Sequence, residues 1–126
     1  MENNFCRLCF SSNNIQRHHS VFKSQVKSLA HCKMNYIYLC EACHSKLHKN
    51  KGGELDLKVK MMFQNKLEEK LLKRYITYDE VKEILDISDT ATHKLVEDLV
   101  KYKEGYLRED LINACMGRWI SLVKIN

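Results

Sequence analysis

Hydrophobic positions change their spacing near residue 54. Beyond it, Val59, Phe63, Leu67, Leu71 and Tyr75 recur at intervals of four, although Leu55, Leu57, Val59 and Met61 also alternate as in a strand. The run from Met62 to Leu72 is rich in good helix formers, and Glu69 with Lys73 adds a favourable i, i+4 pair, so the pattern predicts a helix linking two halves of the chain over residues 54–76. Thr77-Tyr78-Asp79-Glu80 has the form of a capping box and predicts a short helix through Leu85. Asp86-Ile87-Ser88 reads as a turn. Ser88 or Asp89 can cap a second helix with Ala91, Leu95, Val96 and Leu99 on one face. Tyr102 to Leu107 suits a tight hairpin, and Asp110 to Trp119 a last helix with Leu111, Ile112, Cys115 and Trp119 inward. Residues 77–126 are thus expected to form a mainly helical, helix-turn-helix-like domain.

The first fifty residues follow neither period. They hold little continuous apolar sequence, yet contain five of the six histidines and two matching pairs, Cys6-x-x-Cys9 and Cys40-x-x-Cys43. A segment this small buries too little apolar area to offset the entropy of ordering it, and needs a staple. Two Cys-x-x-Cys knuckles can converge on one Zn2+, whose four thiolates complete a closed tetrahedral site that holds the fold and leaves no position for a substrate. Lys49-Asn50-Lys51-Gly52-Gly53 ends the segment, so residues 1–53 are expected to be a separate zinc-stabilised domain. Cys32 and Cys115 lie outside the pairs and suit small buried apolar roles.

Composition narrows the class further. With 126 residues, 44% hydrophobic and 29% charged, the chain is neither a large multidomain enzyme nor a disordered one. It has no long apolar run and no signal-like N-terminus, so no membrane association and a cytoplasmic location are expected. In a reducing compartment paired cysteines point to metal rather than to disulfides. A net charge of +5 and a pI near 8.9 favour a polyanionic partner without demanding one.

Chemistry, if any, falls to the histidines. His18-His19 lies between the cysteine pairs, Asn35 lies five residues before Cys40, and His44 and His48 are one helical turn apart. The three residues His18, His44 and His48 could also belong to a structural zinc site in which histidines replace cysteines. The whole string, Cys6-x2-Cys9, His18-His19, Asn35, Leu39-Cys40-x2-Cys43-His44-x3-His48, resembles the HNH endonuclease family in its zinc-ribbon form, also called the His-Me finger or ββα-metal fold. The likeness covers about residues 5–50. More loosely, the stretch from His18 to Phe63 resembles small HNH-like proteins of phages, whose site would work in the host cytoplasm.

The resemblance implies an α+β protein, with a small zinc-stabilised ββα-metal domain followed by a mainly helical helix-turn-helix domain. It implies that His19 is the general base, that Asn35 holds the base in position, and that His18 and His44 bind a catalytic Mg2+ or another divalent ion. His48 would be a further ligand or a phosphate contact. Imidazole, with an ordinary pKa of about 6.5, suits proton acceptance at neutral pH, and one divalent ion suffices to stabilise the charge that develops at a scissile phosphate. Where family members often have isoleucine and then proline after the base, this chain has Ser20-Val21-Phe22. The glycine-free stretch Lys23 to Met34 is expected to form a short helix.

Lys46, Lys49 and Lys51 follow the site and could grip phosphates. The C-terminal half resembles small winged-helix or excisionase-like DNA-binding domains, in Tyr78-x-Glu80-Val81-x-x-Ile84-Leu85-x-Ile87-Ser88 and in Tyr106-Leu107-Arg108-Glu109-Asp110. This likeness implies that Thr90, Thr92, His93 and Lys94 face the major groove, although Asp89, Glu97 and Asp98 oppose that placement. The expected partner is therefore DNA, and a homodimer would supply two sites for symmetric cutting. The alternative is a zinc-containing DNA-binding or protein-binding regulator that keeps an HNH-like scaffold without cutting.

Overall fold

The structure, a computed structural model, describes residues 4–51 and 53–117. It is α+β, as expected, and its two small antiparallel sheets belong to different parts of the chain. In the first part, β1 (Gln16–His19) pairs with β2 (Tyr36–Leu39), with His18 opposite Ile37 and His19 opposite Tyr36. Helix α1 (Glu41–Lys49) follows at once. The loop between the strands holds two 3-10 turns, Lys27–Leu29 and Lys33–Asn35, where a short helix was expected.

Helix α2 (Glu54–Lys70) is shared by two cores. Its Val59 packs with Cys6, Ile37, Leu39, Cys40 and Leu47, while Phe63 and Leu67 join a larger core built with the C-terminal half. The helix ends earlier than the spacing of Tyr75 predicts. Leu71 leaves helical geometry, and the Arg108 guanidinium donates to the Leu71 and Glu68 carbonyls, which the helix end leaves without partners. Tyr75 then joins a strand, because the ladder to Leu107 and Tyr106 satisfies its backbone as well as another helical turn would.

That strand, β3 (Tyr75–Ile76), lies on one side of β5 (Gly105–Leu107), with β4 (Lys101–Tyr102) on the other. Gly105 is required there: its φ is +129°, and an added Cβ would come within 2.5 Å of the Ile76 carbonyl oxygen. The expected capping box is made, Thr77 accepting from the Glu80 amide and Glu80 from the Thr77 amide, and it starts α3 (Tyr78–Leu85). Ser88 caps α4 (Asp89–Val96) by accepting from the Ala91 amide. Helix α5 (Arg108–Cys115) buries Leu111, Ile112 and Cys115; Trp119, expected on the same face, lies outside the described residues.

The two parts are not packed independently. Val21, Leu29 and Cys32, from the loop between β1 and β2, are fully buried in the larger core together with Leu95, Ile112 and Cys115. The loop that borders the histidines is therefore held from behind by the C-terminal half. Among the described residues no helix is long and apolar enough to cross a membrane.

Candidate metal centre and histidine cleft

Two separate clusters of potential metal-ligating side chains draw on α1, one through Cys40 and Cys43 at its start and the other through His44 and His48. Cys6, Cys9, Cys40 and Cys43 have sulfurs all within 4.8 Å of one another, and none is in a disulfide. Each pair folds as a knuckle: the Leu8 and Cys9 amides point at Cys6 Sγ at 3.4 and 3.5 Å, and the Cys43 amide points at Cys40 Sγ at 3.4 Å. Cys40 is also the N-cap of α1, so the positive end of the helix lies against a sulfur. Burial opposes ionisation of Cys6, yet amides of Cys40, Cys9 and Leu8 bring its pKa down to about 6. Burial and the neighbouring sulfurs push Cys43 up. Four sulfurs so close cannot all ionise unless a cation lies among them, and the set fits a structural zinc.

The histidines form a cluster of their own rather than completing the sulfur site. Ligand nitrogens of His18, His44 and His48 lie within 4.8 Å of one another. The strand's period of two sends His18 toward α1 and His19 to the opposite face, and the helix's period brings His44 and His48 together. Two observations fit this cluster to a cation. His18 Nε2 is buried without a hydrogen-bond partner among the described residues, a costly state for a polar atom unless something binds it. His44 Nδ1 donates to Gln16 Oε1 at 2.5 Å, which leaves its Nε2 as a lone-pair nitrogen, 3.0 Å from His48 Nε2. Burial and the neighbouring imidazoles of His44 and His48 lower the His18 pKa to about 3, and burial with His48 lowers that of His44. Both therefore stay neutral and able to ligate at neutral pH. Three nitrogens leave coordination positions open, unlike four sulfurs.

An open cleft of about 300 Å³ adjoins the cluster, lined by the three histidines, His19, Arg17, Phe22, Lys23, Ser24 and Lys51. His19 Nε2 is 2.8 Å from the Ala30 carbonyl oxygen. A carbonyl only accepts, so Nε2 carries the proton and Nδ1 is left as the basic nitrogen. Asn35 is fully buried and does not touch His19. Its side chain accepts from the Val21 amide at 2.8 Å and donates to the Val21 and Leu29 carbonyls at 2.9 and 3.2 Å, which fixes the loop leading to Ala30. It reaches the base only through that loop.

Of the expected phosphate contacts, Lys51 lines the cleft, whereas Lys46 and Lys49 do not. At about 100° per residue, Lys46 lies roughly 200° around α1 from His44. Thr92 requires a correction: it is fully buried, its hydroxyl donating to the Ser88 carbonyl at 2.8 Å, so it cannot face a groove. Thr90 and His93 are exposed, and Lys94 is exposed but paired with Glu97 at 3.1 Å. Sequence reasoning missed Gln16, Arg17, Phe22 and Lys23. Gln16 was within reach, being two residues from His18 on the same strand face; Lys23 is brought in only by the loop.

Comparison of the chain with protein-family models, with curated proteins and with solved structures gives no match. What the geometry defines is an α+β protein with a tetracysteine, zinc-like site and a separate three-histidine cluster.

Proposed function

We propose that the protein is a divalent-metal-dependent endonuclease of the HNH type that hydrolyses DNA phosphodiester bonds. One observation carries the reading: His19, with Nε2 tied to the Ala30 carbonyl, borders the same open cleft as the three histidines whose nitrogens converge. In this reading the Nδ1 nitrogen of His19 takes a proton from water as the water oxygen bonds to phosphorus and the bond to the leaving oxygen breaks. A divalent ion held by His18, His44 and His48 would supply Lewis acidity and offset the charge on the leaving oxygen. Arg17, Lys23 and Lys51 surround the opening with positive charge that suits the phosphates on either side. The cysteine site takes no part in the reaction.

Nicking of supercoiled plasmid, with magnesium, manganese or chelator, tests the proposal. Cutting should depend on the added ion and fall by about 10²- to 10⁴-fold in His19→Ala, the usual contribution of a general base. Wild-type protein that holds its zinc but nicks nothing with either ion would instead be the non-catalytic regulator. Undiminished cutting by folded His19→Ala would remove the mechanism.

A further inference from the structure

Behind Phe22, which lines the cleft, lies a pair of charges that the proposed reaction does not use. Lys60 and Asp56, one turn apart on α2, form an ion pair of 2.5 Å with side chains only 3% and 4% exposed. A buried ion pair is weak as a source of stability, because desolvating two charges offsets most of their attraction, and apolar replacements of like volume are often as stable. Its place therefore calls for another account.

The Lys60 ammonium lies 4.6 Å from the centre of the Phe22 ring. Phe22 in turn is stacked on His48, with centroids 5.6 Å apart and planes at 22°, and meets His18 edge to face at 5.4 Å. Phe22 thus touches imidazoles from both β1 and α1, and while Gln25 and the Val26 amide hold its backbone, its ring is set by these contacts and by Lys60. The Lys51 ammonium, 5.3 Å from the ring centre, is exposed at the cleft and less constrained.

We infer that Asp56 and Lys60 are positioning residues for the histidine site: Asp56 fixes the Lys60 ammonium, Lys60 holds the face of Phe22, and Phe22 backs His18 and His48 in the orientation that lets their nitrogens converge on one ion. The chain of contacts runs from α2 through the loop to both ligand-bearing elements. It rests on the reading that the three histidines bind a divalent ion, but not on cutting.

The variants are Asp56→Leu with Lys60→Met, which removes the pair without leaving a lone buried charge, and Phe22→Leu, which keeps the pair and removes the ring. The readout is the affinity of the zinc-loaded protein for added Mn2+, followed by electron paramagnetic resonance, beside the melting temperature and zinc content. Both variants should melt near the wild type and retain zinc, yet bind Mn2+ about threefold to tenfold more weakly, at or below the range for lost outer partners of metal ligands. Wild-type Mn2+ affinity in both, or loss in the double variant alone, would overturn the inference. Loss of affinity only in step with melting would reduce the pair to a fold contact and overturn it too. If the wild type takes up no Mn2+ while His19 still supports cutting, the positioning role falls and the nuclease reading survives with different ligands. If it neither binds Mn2+ nor cuts, both fall.

Discussion

Helix α1 carries ligands for both clusters, and the two differ in how far they are closed. At its N-terminus Cys40 and Cys43 meet Cys6 and Cys9, with amides aimed at the sulfurs and no coordination position left over. One turn on from Cys40, His44 and His48 meet His18 as the third potential ligand among the described residues, and a cleft opens beside them. Soft thiolates in a complete tetrahedron suit a permanent structural ion, whereas three imidazoles beside an open cleft leave coordination positions free, as an exchangeable ion needs. The difference teaches that one short helix can carry part of a closed tetracysteine set and part of an open histidine set, because helical spacing separates the two groups of side chains.

Removing the staple should have the largest effect. Structural zinc sites contribute on the order of 10 kcal/mol at neutral pH, comparable with the whole stability of many domains. Cys40→Ser should therefore lose zinc and the cooperative unfolding of the first fifty residues, seen by metal analysis and thermal melting. A variant that melts like the wild type without zinc would show that the apolar cluster around Val59 and Leu47 suffices.

The histidines should separate into two behaviours next. His18→Ala should abolish binding of a second ion while zinc stays in place. His19→Ala should leave that ion's affinity within about threefold and remove most of the cutting rate. Equal loss of ion affinity in both would mean that His19 is a ligand rather than a base.

Acid should sharpen the contrast within the histidine cluster by a smaller amount. His18 is neutral when folded down to about pH 3, because burial disfavours its charge, whereas in the unfolded chain it protonates near the ordinary value of about 6.5. The unfolded state then binds the extra proton, so stability falls as pH drops through 6.5 and goes on falling toward the folded value. Between pH 7.5 and 5.5 the loss attributable to His18 is about 1.4 kcal/mol, from a difference of one pKa unit. Melting of zinc-loaded protein without a second ion checks it, and His18→Leu should flatten this part of the profile. A wild-type profile as flat as the variant's would place a charged His18 in the fold.

Much of this arrangement was legible in the sequence wherever the signal is local. The Thr77 to Glu80 capping box, the Ser88 cap and the paired cysteines depend on residues a few positions apart, and each is made. What escaped depends on distant partners. Tyr75 keeps the helical spacing of Val59 and Phe63, but pairing with Leu107 decides its conformation. Thr92 looks like an exposed polar residue, but packing of α4 into the larger core buries it. The support of His19 by Ala30, and of the Val21 to Leu29 backbone by Asn35, requires knowing how a glycine-free loop folds over two 3-10 turns. No periodicity encodes that.

The smallest predicted effects compare the cleft with the exposed face of α4. Lys51 lines the cleft and forms none of the described ion pairs, so Lys51→Ala should weaken DNA binding at every sequence and reduce the salt dependence by about one released counterion. Lys94 already has its charge beside Glu97, with Asp98 next in sequence, so freeing it for a phosphate would cost the existing pair and bring DNA toward carboxylates. Lys94→Ala should therefore change affinity by less than about twofold, in line with the roughly 0.3–0.5 kcal/mol of an exposed ion pair on a helix. Fluorescence anisotropy across a salt series reads both variants on one DNA. Should Lys94→Ala lower the salt slope as much as Lys51→Ala does, α4 rather than the cleft would be the main electrostatic face, and the C-terminal half would bind DNA as its resemblance to winged-helix domains implies.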